Sequence, residues 1–109
     1  MTTIIIKRQQ NSIIQVECSG HSGYAEEGED IVCAGISSIT QTALLGLQVI
    51  AGVKVDVKKD DNKGYLKFTI VGDLDEAKRH DADMILDTMY TGIKDLEDGF
   101  SKYIKVEDK

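Results

Sequence analysis

The sequence predicts an α+β two-layer sandwich. Two helices cover one side of a five-stranded antiparallel or mixed sheet, in the order β-β-α-β-β-α-β. Three observations predict it. Short segments rich in β-branched residues pair across polar turns, two longer segments carry apolar residues at steps of three and four, and the two kinds alternate in that order.

Thr3 to Lys7 and Ile13 to Cys18 bracket the polar turn Gln9-Gln10-Asn11-Ser12 and read as a hairpin. In its second strand Ile14, Val16 and Cys18 share one face, and Gln15 and Glu17 the other. From Ile31 to about Ala51, the residues Val32, Ile36, Ile39, Ala43, Leu47 and Ile50 form one apolar stripe, which Leu44, Leu45 and Val49 widen. Asp30 stands at the N-cap position of that helix. A second hairpin follows. Val53, Val55 and Val57 alternate with Lys54, Asp56 and Lys58, Asp60 to Gly64 supply the turn, and Leu66, Phe68 and Ile70 alternate on the return. The second helix runs from about Leu74 to Asp98, with Asp73 and Glu76 near capping-box spacing and Ile85, Met89, Ile93 and Leu96 on its buried face. Tyr103 to Val106 closes the order as a short strand. Such a sheet leaves one face to be solvated or covered by a second subunit. The adjacent Ile13 and Ile14, read as pointing to opposite faces, raise dimerisation.

The 109 residues read as one domain, 1–109, with 41% hydrophobic and 29% charged content. A chain of that length buries roughly 60–68% of its unfolded surface, so folding needs neither disulfides nor a structural metal. With 13 basic and 19 acidic residues the net charge is -6, and no Lys/Arg block occurs. That balance argues against nucleic-acid binding, which depends on neutralising phosphates, and favours approach by basic partners. Apolar runs such as Ile4 to Ile6 and Ala43 to Leu45 fall far short of the ~20 residues of a membrane span. Two cysteines without a secretion signal point to a reducing cytoplasm.

One segment breaks the pattern. From Gly20 to Asp30 there is no apolar rhythm, and Gly20, Gly23 and Gly28 permit close approach by another chain. With Asp30 as N-cap, Cys33 is the third residue of the helix, where unpaired amides and the positive end of the helix dipole favour a thiolate. His21 stands on the loop twelve residues earlier, and Cys with His is the minimum apparatus for nucleophilic acyl transfer. A buried, inert thiol is the other reading of Cys33. Ser37, one turn on, either meets the sulfur or a substrate, or bonds back to the carbonyl at position 33. Asp30 either caps the helix or also orients His21.

Zinc is the rival chemistry, with Cys18, His21, Cys33 and His80 as candidate ligands. Only Cys18 and His21 are closely spaced. Cys18 lies on the apolar face of its strand, and His80 sits among Lys78, Arg79 and Asp81, so no metal is expected.

Gly20-His21-Ser22-Gly23, then Gly28-x-Asp30-Ile31-Val32-Cys33-Ala34-Gly35-Ile36-Ser37, resembles the signature of the bacterial ribosomal-processing cysteine protease family, and the likeness extends over the whole chain. One departure is Ser22, where the family pattern has alanine; both are small. The resemblance implies a cytoplasmic, homodimeric cysteine endopeptidase that removes an N-terminal extension from the precursor of a large-subunit ribosomal protein. It also implies Cys33 as nucleophile, His21 as general base and acid, and Asp30 and Ser37 as supporting residues. The loop Gly20 to Gly28, with Ser22 and Gly23, would close over the substrate. The first-turn amides of Cys33 and Ala34 are the expected oxyanion donors. No cofactor, nucleic acid or membrane is called for. Two alternatives remain. One is a noncatalytic ribosome-assembly adaptor that holds a basic tail; the other is a thiol redox sensor using Cys33.

Overall fold

A computed structural model describes residues 1–20 and 27–109, and the side chains of all of these except 27–30 and 63. Strands β1 (Thr2–Gln9) and β2 (Ser12–Ser19) form the first hairpin, followed by helix α1 (Glu27–Leu45) and a π-helical turn (Gly46–Ile50). The second hairpin, β3 (Val55–Asp60) and β4 (Tyr65–Ile70), turns through a short 3-10 segment (Asp61–Lys63). Helix α2 (Glu76–Gly99) and strand β5 (Ile104–Asp108) complete the chain. The sheet order is β3-β4-β2-β1-β5; β5 runs parallel to β1 and all other pairs are antiparallel. The expected α+β order and mixed five-stranded sheet are therefore present.

Gln10 and Asn11 take φ values of 51° and 71°, a type I′ turn whose twist suits a two-residue hairpin. Beyond it the register slips: Lys7 faces Gln15, but Arg8 faces Ile13, so Ile14 bulges out. The bulge corrects the expected facing. Ile13, not Ile14, joins Val16 and Cys18 in the core, while Ile14 is only half-buried. The Ile13–Ile14 pair is thus the mark of a bulge, and it supplies no argument for a second apolar sheet face. On that open face Tyr65 Oη donates to Glu17 Oε2 (2.5 Å) and Thr69 Oγ1 to Gln15 Oε1 (3.0 Å).

The core lies between the sheet and the helices, with Ile4, Ile6, Val16 and Phe68 facing Val32, Leu47, Leu86 and Ile93. Each such side chain contributes about 1.5–3 kcal/mol by leaving water. The helices approach closely where glycine meets a branched side chain: a Cβ on Gly35 would sit 3.5 Å from Leu96 Cδ1, and one on Gly46 3.4 Å from Ile85 Cγ2.

Helix α1 differs from expectation at both ends. It opens at Glu27 rather than Ile31, so Asp30 is inside the helix and is not its N-cap. At the other end the five-residue π turn shifts the angular phase. Leu47 stays buried, but Leu45, Val49 and Ile50, expected to widen or extend the buried stripe, are exposed. The 20 residues Ile31–Ile50 have a mean hydropathy of 1.4, so by length and composition this segment could cross a membrane. The expectation against a span rests on unbroken apolar runs, which Ser37, Ser38 and Gln41 interrupt without lowering the average enough. Helix α2 starts two residues later than expected, and its cap is Asp75, whose carboxylate accepts from Lys78 N–H (2.8 Å). Asp73 lies outside the helix. Ala82 and Leu86 join Met89 and Ile93 on its buried face, leaving Ile85 and Leu96 half-buried.

The edge strand β5 is tied to α2 by Glu97. Its Oε1 accepts from Lys94 Nζ and its Oε2 from the Val106 N–H, both at 2.7 Å. Lys94 first, and then the Val106 amide, hold the carboxyl below the usual range. A carboxylate whose folded value is lowered stabilises the fold above its unfolded value, about 4.3, and that contribution disappears as pH falls below it. Glu97→Gln is expected to cost about 1 kcal/mol at pH 7, measured by urea unfolding, and to narrow its gap from the parent chain in acid. An equal gap at pH 7 and pH 3 would contradict this role.

Candidate active site

A cleft of about 280 Å³ opens between the first half of α1, the inner strands and the β3–β4 turn; Cys33 and Ser37 line one wall. They are one helical turn apart, so the 3.6-residue repeat sets both side chains on the same face. Lys59, Asp61 and Tyr65 from the second hairpin line the cleft as well, as do Cys18 and Leu66.

The cleft is lined by two thiols that differ in burial. Cys18 is 7% exposed, and burial pushes its thiol up to about 12, so it remains protonated and packs as a small apolar group. Cys33 is half-buried and opens onto the cleft. Exposure therefore singles out Cys33 as the thiol a ligand can reach. Its backbone setting corrects the expected one. Because α1 opens at Glu27, Cys33 is the seventh helical residue rather than the third. The amides of Cys33 and Ala34 lie beyond the first turn, where α-helical pairing engages them with carbonyls four residues back. They are not the free oxyanion donors the sequence led one to expect.

His21, Ser22 and Gly23 lie outside the described residues, as does the side chain of Asp30; Gly28 belongs to the α1 backbone, so the expected loop Gly20 to Gly28 stops short of Glu27. Gly20, the residue before His21, is described and lines the cleft. Its φ is +115°, and a Cβ there would fall 2.2 Å from the Met1 carbonyl oxygen and 3.0 Å from Thr2 Cα. Only glycine fits, so the chain leaving β2 is held directly against the start of β1. His80, weighed as a metal ligand, is on α2 with its side chain 74% exposed beside Asp81.

Sequence reasoning missed Thr2. Its hydroxyl lies 3.3 Å from Cys33 Sγ, and the residue is 4% exposed. The available signal was parity: Thr2 shares the inward face of β1 with Ile4 and Ile6, and a hydroxyl in a core position requires a partner.

A sequence model of the family described as Cysteine protease Prp matches residues 1–105. The ribosomal processing cysteine protease Prp of Bacillus subtilis (strain 168) is 26% identical over 102 residues, spanning 94% of this chain and 91% of its own. A crystal structure of the ribosomal processing protease Prp from S. aureus with a covalently linked product peptide is 26% identical, with a TM-score of 0.84 and full coverage of both chains. The same protease with a substrate peptide superposes at a TM-score of 0.88 and 24% identity, again over both full chains, a likeness of fold. With the family pattern matched along nearly all of the sequence and the same architecture beneath it, the chain belongs to the Prp family of cysteine proteases.

Proposed function

We propose that this chain is the endopeptidase that trims the N-terminal extension from the precursor of a large-subunit ribosomal protein, with Cys33 as nucleophile and His21 as its base. The observation that carries the assignment is that Cys33 and Ser37 share one wall of a cleft whose other thiol, Cys18, is buried and protonated. The S. aureus relative with a covalently linked product peptide supports a covalent step on this fold. The net charge of -6 suits a basic substrate, although salt limits that attraction to about 8 Å.

In this reading the Cys33 thiolate attacks the scissile carbonyl. The C–N bond breaks as His21 protonates the leaving amine, leaving a thioester on Cys33. His21 then takes a proton from water, which attacks the thioester and releases the new carboxyl end. Asp30 orients His21, and Ser37, exposed one turn from the sulfur, donates to the bound peptide.

His21→Ala tests the assignment through kinetics on a peptide spanning the precursor's cleavage region. A general base acts on the chemical step, so kcat is expected to fall about 10²–10⁴-fold with KM nearly unchanged. A rise in KM with kcat retained would make His21 a binding residue and not the base.

A further inference from the structure

We infer that Thr2 is a positioning residue for the Cys33 nucleophile, holding its sulfur through a hydroxyl hydrogen bond; this rests on the proposed role of Cys33. Thr2 Oγ1 and Cys33 Sγ are 3.3 Å apart, bridging the first residue of β1 to the second turn of α1. Between a hydroxyl and a neutral thiol, either atom can donate. Once Cys33 ionises the sulfur has no proton left, and only Thr2 O–H can donate. The bond then becomes charge-assisted, roughly twice as strong as a neutral one. It therefore fixes the direction in which the sulfur points.

The hydroxyl can do this because its backbone is clamped on both sides. On one side Thr2 N–H donates to the Tyr103 carbonyl at 2.8 Å, and Thr2 pairs with Ile104 in the parallel ladder with β5. On the other, Gly20 packs so closely that a Cβ would meet Thr2 Cα at 3.0 Å. Thr2 is 4% exposed, so its side chain is largely withdrawn from water. The strand that carries Thr2 is thus braced against Gly20, just beyond the end of β2.

The test compares the full-length chain with Thr2→Val, which keeps the shape but not the hydroxyl, and Thr2→Ser, which keeps the hydroxyl. Two readouts apply: the iodoacetamide alkylation rate of Cys33 at pH 7 by peptide mass mapping, and kcat and KM on the precursor peptide. Buried Cys18 serves as a folding control, because its alkylation would report an opened core. Thr2→Val is expected to slow alkylation of Cys33 and to lower kcat, each about tenfold, with KM within about twofold. Thr2→Ser is expected to restore both. Thr2→Val at parent rates in both assays overturns the proposal, as does Thr2→Ser failing together with Thr2→Val while Cys18 stays protected. If Thr2→Val opens the core, the comparison is made between Thr2→Ser and Thr2→Ala below their melting temperatures, with the same criteria. Alkylation does not depend on substrate, so it tests the Thr2 contact even if Cys33→Ala still cleaves, an outcome that would overturn the catalytic role of Cys33 instead.

Discussion

Cys33→Ala is expected to abolish cleavage while leaving the fold in place. Removing a nucleophile that acts together with its base typically costs kcat on the order of 10⁴–10⁶-fold. The stability cost is small because Cys33 is half-buried at the edge of an open cleft, so truncation leaves space that solvent can enter. A shift within about 1 kcal/mol is expected. Unfolding curves and progress curves on the precursor peptide measure both. Retained cleavage would remove Cys33 as nucleophile. Lost cleavage with the biological task still performed in cells would favour the adaptor reading, and reversible peroxide oxidation of Cys33 with no dependence on His21 would favour the redox sensor.

The second large effect is expected at Gly20. An alanine there must hold φ near +115°, which L residues rarely adopt, and must displace the backbone of Met1 and Thr2, since its Cβ would sit 2.2 Å from a carbonyl oxygen. Backbone strain of this kind costs on the order of 1–3 kcal/mol before any displacement. Gly20→Ala is expected to lower Tm by roughly 10 °C. It should also slow alkylation of Cys33, because the start of β1 carries the Thr2 hydroxyl. Gly99→Ala is the matched control: nothing lies within 4 Å of its added Cβ, so Tm should hold or rise slightly. Equal melting temperatures for the two variants would contradict the close packing at Gly20.

What could be read from the sequence follows from the range of the forces involved. The turn at Gln10-Asn11 and the alternation of Leu66, Phe68 and Ile70 are local, and both were legible. So was the sharing of one face by Cys33 and Ser37, which the helical repeat sets over four residues. The starts of the helices were less so. Asp30 and Asp73 are both good capping residues by type, but α1 opens earlier, at Glu27, and Asp75 takes the cap of α2. The bulge at Ile14 was hidden because two adjacent isoleucines satisfy either parity until β1 fixes the register. The Thr2–Cys33 contact joins residues 31 apart through the docking of α1 on the sheet; strand parity marks Thr2 as inward but does not name its partner.

The most direct measurement is intact mass spectrometry of the unprocessed ribosomal protein after incubation with the purified chain, with Cys33→Ala alongside. The account predicts one N-terminal truncation, at a single bond, produced by the parent chain and not by the variant. Unchanged mass in both incubations, or the same truncation in both, would contradict it.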